Sequence, residues 1–221
     1  TPCTSGNGCF SVVPASGRKP TAYCDPARGP ARPDTAGCAA RPPENCGWAQ
    51  EAAAGIQWAH AMAPTARIVL VEATSNGFPD LLKAVDMGTA LITANGGSGE
   101  LSMSWGGSEF AGQTSHDSRF ANPNVVYFAA SGSVGGKTVY PGVSPNVVSV
   151  GGTTIHRDGR GGFAGESAWN GSGGGPSQYG GRPSYQNPIA SLVGPKPGTP
   201  DVSFNADPAS GFAVFDSTSC N

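Results

Sequence analysis

The feature that most limits the fold of this chain is a series of short apolar runs rich in β-branched residues. One run spans 67–73 (RIVLVEA), a second spans 124–130 (NVVYFAA), and a third spans 146–150 (NVVSV). Uninterrupted runs of this kind are typical of strands that are buried on both faces of a sheet. Segments 101–105 (LSMSW) and 212–215 (FAVF) are predicted to be two further strands.

Segments with helical spacing of apolar residues alternate with these strands. The pattern predicts a helix over 48–62, a second over 78–87 and a short one over 116–120. Strands that alternate with helices form right-handed β-α-β units, which build a parallel sheet covered by helices on both faces. We therefore predict one loop-rich α/β domain over 1–221, with sites at the carboxyl ends of its strands.

The composition excludes two classes of partner. The formal net charge is -2 and 13% of the residues are charged, so the sequence offers no basic patch for the phosphates of a nucleic acid. No apolar run approaches the length of about 18 residues that crosses a bilayer, so we expect no membrane partner. Glycine and proline concentrate in 14–47 and 159–200, which predicts long loops, and 1–47 forms a cysteine-rich loop segment.

An even number of cysteines, mostly in loops, predicts three disulfides and an oxidising compartment. The six positions are Cys3, Cys9, Cys24, Cys38, Cys46 and Cys220. A metal site is not indicated, because no C-x-x-C pair occurs. Six cysteines allow 15 connectivities; Cys3 with Cys9 would close a small local loop, and the others stay open. The chain begins with Thr1 and shows no signal-peptide pattern, so we expect a processed, secreted product.

Seven stretches, in order along the chain, carry a resemblance to one family. They are PCTSGNGCF (2–10), IQWAHAMAP (56–64), VEATSNGF (71–78), SMSWGGSEF (102–110), YPGVSPNVVSVGGTT (140–154), ESAWNGSGGGPS (166–177) and PDVSFNADPASGFAVFDS (200–217). They resemble the sedolisin family of serine-carboxyl peptidases, acid-active enzymes with a subtilisin-like fold. The resemblance implies that fold for this chain.

The resemblance also implies catalytic positions. In the family, a serine attacks the carbonyl, a glutamate is its general base, an aspartate four residues later orients the glutamate, and a second aspartate supports the oxyanion. The glutamate matches Glu51, but its partner position holds Gly55, and Ser133 stands where the oxyanion aspartate belongs. Glu51 is therefore expected to be a vestigial base. Ser133 as a displaced nucleophile is the alternative, but it lacks the glycine two residues before it that a nucleophile elbow needs.

The resemblance places the family's G-T-S-x-x-x-P nucleophile motif and its calcium site downstream of Asn221. It also places an apolar strand before Thr1. We accordingly expect no nucleophile, no cofactor and no metal, and a sheet that is incomplete at both chain ends. Such a sheet exposes strand edges and apolar surface. A homo-oligomer or a partner chain that covers these ends is the expected partner.

The run Ser104, Trp105, Gly106 and Gly107 corresponds to a segment that helps to form the substrate groove in the family. Its strand edge could still pair with an extended peptide. Three histidines, His60, His116 and His156, fall on different predicted elements without the spacing of a metal site, which favours structural roles.

Three functions remain in competition. The first, which we favour, is a secreted, non-catalytic scaffold that self-assembles. The second is a processed fragment of an acid-active endopeptidase, and the third is a peptide-binding pseudopeptidase. The missing catalytic groups argue against enzymatic activity.

Overall fold

The computed structural model describes residues 9–16 and 43–215, with the backbone alone for 43–50. Two compact units are present, residues 1–87 with 213–221 and residues 88–212, and each is described by itself. The helices are α1 (Pro43–Met62), α2 (Phe78–Thr93) and α3 (Ala190–Val193). The strands are β1 (Phe10–Pro14), β2 (Ile68–Glu72), β3 (Gly99–Met103), β4 (Gly107–Ser108), β5 (Val125–Ala130), β6 (Val139–Tyr140), β7 (Val148–Arg157), β8 (Phe163–Ala168), β9 (Gly175–Pro176), β10 (Gly198–Thr199) and β11 (Val202–Asn205).

The first unit contains a two-stranded parallel sheet and α1. Strands β1 and β2 pair in register from Phe10 opposite Ile68 onward. The predicted strand at 67–73 is confirmed as β2, whereas β1 was not predicted. Helix α1 begins five residues before the predicted start, because Pro43 supplies the fixed backbone angle that suits the first position of a helix.

The predicted last strand at 212–215 is wrong. Residues 211–215 form no regular element. Within the first unit, the backbone of Ala213 and Phe215 bonds instead to side chains of α1: the Trp58 indole donates to the carbonyl of Ala213, and Gln57 bonds to Phe215. An extended segment whose backbone groups are satisfied by side chains does not need a ladder partner.

The second unit is built on a sheet whose strands run in the order β11-β7-β5-β3, all parallel, with β8 antiparallel to β7. The predicted strands at 101–105, 124–130 and 146–150 are confirmed as β3, β5 and β7. β3 starts two residues earlier than predicted, and β7 continues to Arg157 because it pairs with β8. The predicted helix at 116–120 lies within a 3-10 helix over Gln113–Phe120. The mainly parallel sheet with helices confirms the predicted α/β class.

One face of this sheet forms the core. Tyr127 of β5 is fully buried; its hydroxyl lies 2.9 Å from Oγ1 of Thr89, and its ring meets that of Phe120 edge-on at 5.6 Å. The ring of Phe120 also contacts that of Tyr140. Alternate residues of β5 share the buried face because successive strand side chains point to opposite sides.

The opposite face of the same sheet is apolar and partly exposed. The register of β5, β7 and β11 aligns apolar side chains of these three parallel strands into one patch, which we call the open sheet face. Val126 is 46% exposed and Phe204 is 63% exposed, and the other members are exposed or half-buried. The patch consists of Val126, Phe128, Val148, Val150, Val202 and Phe204. Parallel sheets normally bury both faces, so this exposure is unusual for the architecture.

Candidate functional site

The glutamate implied by the resemblance lies on the exposed side of α1. Both Glu51 and Gly55 are exposed, one helical turn apart. A Cβ atom added at Gly55 would meet nothing within 4 Å. Packing around a Cβ atom therefore does not require glycine at this position.

The turn that holds Ser133 follows directly after β5. Ser131 is buried, its hydroxyl donates to the carbonyl of Gly173 at 2.8 Å, and its amide donates to Val150. Gly132 adopts a φ of 108°, which favours glycine. The side chain of Ser133 is exposed. The turn is thus held firmly, while Ser133, at the position predicted for the oxyanion aspartate, presents a neutral hydroxyl to solvent.

The glycine-rich loop that follows Trp169 is tightly packed against this turn. The amide of Gly173 donates to the carbonyl of Gly132 at 2.8 Å, and a Cβ at Gly173 would overlap the carbonyl oxygen of Ser131. The hydroxyl of Ser172 accepts from the amide of Gly152. Glycine is needed here because two backbones approach each other closely.

The predicted groove segment runs into β4, which pairs with β6 in a short antiparallel ladder. Ser104 and Gly106 are exposed, whereas Trp105 and Gly107 are partly buried. Gly107 pairs with Tyr140 in the β4–β6 ladder, so this part of the strand edge is already occupied within the chain.

Val139 brings the groove segment and the Ser133 turn together. A Cβ added at Gly106 would lie 2.9 Å from a methyl group of Val139, and one at Gly132 would lie 3.2 Å from its other methyl group. The second unit therefore joins two of the predicted stretches. Glu51 and Gly55 belong to the first unit and are described within it.

Sequence reasoning missed Glu109, the most heavily hydrogen-bonded carboxylate described. It accepts hydrogen bonds from three side chains and one backbone amide, namely Ser177 (2.6 Å), Thr138 (2.6 Å), Gln113 (2.9 Å) and the amide of Gln178 (3.2 Å). Burial acts to raise the pKa of Glu109, but these hydrogen bonds together lower it below its ordinary value. The signal available in the sequence was one carboxylate within a turn of glycine and serine after a buried strand.

Among the described residues, no group of three or more histidine, cysteine, aspartate or glutamate side chains is arranged to hold a metal ion. Cys9 is disulfide-bonded, and its partner lies outside the described side chains. The other five cysteines also lie outside them: Cys3, Cys24, Cys38, Cys46 and Cys220.

The three histidines lie on three elements. His60 is on α1 with a buried Nδ1 atom, the ring of His116 lies 6.2 Å from that of Phe110, and His156 contacts Ser167. In the part of the chain that the structure describes, none of the helices has the length and apolar character needed to cross a bilayer.

Comparisons with known proteins show which peptidases this chain is similar to. The chain is 34% identical over 86 residues to sedolisin of Pseudomonas sp. (strain 101), a match that covers 34% of this chain and 14% of that protein. Its structure superposes on Pseudomonas sedolisin, a serine-carboxyl proteinase complexed with two molecules of pseudo-iodotyrostatin, with a TM-score of 0.55 and 25% identity.

The chain is related to the sedolisins and subtilisin-like peptidases.

The structural match covers 68% of this chain and 49% of that sedolisin structure, so this sedolisin-like chain corresponds to about half the length of its structural relative. No family model matches the chain. The subtilisin-like fold predicted from the resemblance is confirmed by the superposition. The roles assigned to Glu51, Gly55 and Ser133 stay predictions.

Proposed function

We propose that this chain is a secreted, non-catalytic sedolisin-like protein that acts as a structural scaffold by associating with further copies of itself. The observation that supports this most is the open sheet face. It presents six aligned apolar side chains from three parallel strands, and Phe204 in its last strand is 63% exposed. Contiguous apolar surface of this kind marks a site of association.

A second copy is the occupant that we propose, because the patch suits contact with itself. In a two-fold dimer the same patch packs against its copy, so an apolar patch meets an equally apolar surface. All six side chains of the open sheet face are uncharged. Glu100, which is level with Val126 on β3, places one carboxylate at the rim, where water can solvate it.

The absence of catalysis is proposed from two positions inside the chain. The family mechanism uses carboxylates where this chain has Gly55 and Ser133. A glycine cannot orient a general base, and loss of a single oxyanion donor typically lowers kcat by about a hundred- to a thousandfold. Both positions are exposed, so no packing constraint of the described residues explains the changes.

Secretion is proposed from the cysteine chemistry. Cys9 is disulfide-bonded, and disulfides persist in oxidising compartments. The six cysteines along the chain fit that setting.

The assembly is tested by measuring the molar mass in solution with light scattering and sedimentation equilibrium. We expect a species larger than the monomer. Phe204→Ser should weaken association by about thirtyfold, because a buried aromatic anchor contributes about 2 kcal/mol. Leu192→Ser is the matched control: this side chain is 84% exposed but lies on α3 and is not a member of the patch, so its loss should leave the mass unchanged.

A monomer at every concentration would overturn the scaffold proposal, as would equal effects of the two variants. A monomer that binds extended peptides would instead support the peptide-binding alternative.

The lack of catalysis is tested with an unfolded protein substrate at about pH 3–5, where carboxylate-based peptidases work. We expect no cleavage above the level given by Glu51→Ala. Cleavage that Glu51→Ala abolishes would overturn this part of the proposal and support the processed-peptidase alternative.

A further inference from the structure

A cleft of about 450 Å³ opens beside the carboxyl-terminal half of β7, in the second unit. Residues 154–157 of the strand form one wall, and residues 209–211, in the turn after β11, form the other. The volume falls within the range of ligand sites, about 300–1,000 Å³. The cleft begins where β11 stops covering the strand, because the pairing of β11 with β7 ends at Asn205 opposite Thr153.

The two edges of β7 differ beyond Thr153. On one edge, β8 runs antiparallel to the strand from Thr153 to Arg157, and the amide of Asp158 donates to the carbonyl of Gly162 at 2.9 Å. On the other edge, no strand pairs with β7 after β11 ends, in the part of the chain that the structure describes. A strand edge without a partner presents its backbone donors and acceptors to any chain that can pair with them.

Two backbone groups on this open edge border the cleft. The amide and carbonyl of successive strand residues point to alternate edges. The amide of Ile155 donates to the hydroxyl of Ser210, in the opposite wall, at 3.0 Å, so Ile155 faces the cleft. Asp158 bonds on the side of β8, so Arg157 before it faces the same edge as Ile155. The carbonyl of Ile155 and the amide of Arg157 are therefore an acceptor and a donor available to a ligand.

The turn that forms the opposite wall is held in place by side chains. Asp207 accepts from the hydroxyl of Thr154 at 2.6 Å and from the amide of Ala209 at 2.9 Å. The hydroxyl of Ser210 donates to the side-chain oxygen of Asn205 at 2.7 Å. These bonds tie the turn to β7 and to the end of β11, so the cleft is formed before any ligand arrives.

We propose that this cleft binds the main chain of an extended peptide, which adds to the sheet beside β7 where β11 ends. One peptide residue can donate its amide to the carbonyl of Ile155 and accept from the amide of Arg157, which is the exchange that neighbouring strands make. Such bonds require an extended backbone with an N–H and a C=O, and no charge. The site belongs to β7 and not to the groove segment at 104–107, and it does not rest on the self-association proposed above.

The test is a titration of ¹⁵N-labelled protein with an uncharged peptide, N-acetyl-valyl-threonyl-valine amide, followed by amide chemical shifts and hydrogen exchange. We expect saturable shifts, and exchange at the Arg157 amide slowed by about tenfold or more, because this amide gains a hydrogen bond. The amide of Asp158, which already bonds to Gly162, is the internal reference and should keep its rate. The same peptide with every backbone nitrogen methylated has no main-chain donor and should not bind.

Two substitutions at one position separate the backbone from the side chain. Arg157→Pro removes the amide donor, and proline is tolerated at an open strand edge, so binding should weaken by about tenfold or more. Arg157→Ala is the matched control: it keeps the amide and removes the guanidinium, so binding should change by less than about twofold. Should Arg157→Pro fail to give a folded spectrum, the methylated peptide tests the same exchange of hydrogen bonds on the wild type.

Three results would overturn the proposal: no saturable shifts, equal binding of the plain and the methylated peptide, or equal effects of the two variants. A fourth would overturn it in favour of another occupant. Protection of the Arg157 amide that rises with protein concentration, without added peptide, would assign this edge to a second copy of the chain.

Discussion

The side-chain amide of Gln57 bonds in both directions with the backbone of Phe215. Nε2 of Gln57 donates to the carbonyl oxygen at 2.6 Å, and Oε1 accepts from the amide at 2.9 Å. The two residues are 158 positions apart in sequence. This pair fixes the segment at 213–215 against α1 in the way that a neighbouring strand would otherwise do.

Removal of that pair should loosen the segment. We expect Gln57→Ala to lower the protection of the Phe215 amide against hydrogen exchange and to destabilise the unit by about 1 kcal/mol, the net worth of such bonds. Gln57→Glu keeps the acceptor and should have a smaller effect. The amide of Ala209, which bonds to Asp207, serves as the internal reference. Unchanged exchange at Phe215 in Gln57→Ala would contradict this account.

Glu109 should be a main source of stability in the second unit. Its carboxylate joins residues near 113, 138 and 177, and Glu109→Gln replaces acceptor oxygen by an amide donor that faces other donors. After allowance for its partial exposure, we expect a loss of about 1–2 kcal/mol in the free energy of unfolding. Glu100→Gln on the exposed side of β3 should change it by less than about 0.5 kcal/mol. Chemical denaturation measures both.

The same carboxyl predicts a pH dependence. Hydrogen bonding lowers the pKa of Glu109 in the folded state, so its contribution is complete above the ordinary glutamate pKa of about 4.3. It is lost as the pH falls through the lower folded value. We expect the free energy of unfolding of the wild type, measured by chemical denaturation, to stay constant from pH 7 to about 5 and to fall below about pH 4. In the Glu109→Gln variant, the free energy of unfolding should fall less steeply as the pH decreases. An equally steep fall in the variant and the wild type would rule out this assignment.

The hydroxyl of Tyr185 should lose its proton at a higher pH than that of an ordinary tyrosine. Burial, followed by the charge of Asp201 and the hydrogen bond to it, raises the pKa of Tyr185 to about 12. A tyrosine with a raised pKa stabilises the fold below the ordinary value of about 10, and that stability is lost as the pH rises through about 12. Tyr185→Phe should remove one late step from an ultraviolet titration, and Asp201→Asn should move it to lower pH. Asp158→Asn, in a separate turn, should leave it in place.

The close packing of the glycine-rich loop is tested by two matched substitutions. Gly173→Ala would force a methyl group onto the carbonyl of Ser131 and should cost about 2 kcal/mol or more. Gly181→Ala has nothing within 4 Å of the new atom and should be neutral or slightly stabilising. Thermal unfolding compares them. Equal melting temperatures for the two variants would show that the loop yields without cost.

The prediction of strands from sequence worked where burial alone sets the pattern. The runs that became β2, β5 and the first part of β7 are rich in β-branched apolar residues, which is typical of strands in a parallel sheet. The apolar run at 212–215 has the same local pattern but is not a strand, since its backbone bonds to Gln57 and Trp58. The segment that does form the last strand, β11, mixes serine and asparagine with its apolar residues and was not predicted as a strand.

In the candidate site, too, local features could be predicted from the sequence and long-range contacts could not. The family positions that residues 51, 55 and 133 match could be predicted from the sequence, because each belongs to a short motif. The network around Glu109 could not, because its donors come from three separate stretches that only folding brings together.

The strands β2, β3, β5 and β7, the sedolisin resemblance and the positions predicted for two catalytic carboxylates could be derived from the sequence itself, since each depends on neighbouring residues. Tertiary structure alone decided two further features: the exposure of one sheet face and the network around Glu109. The physical reason is that exposure, hydrogen-bond partners and strand register depend on residues distant in the chain, and local patterns carry no information about them.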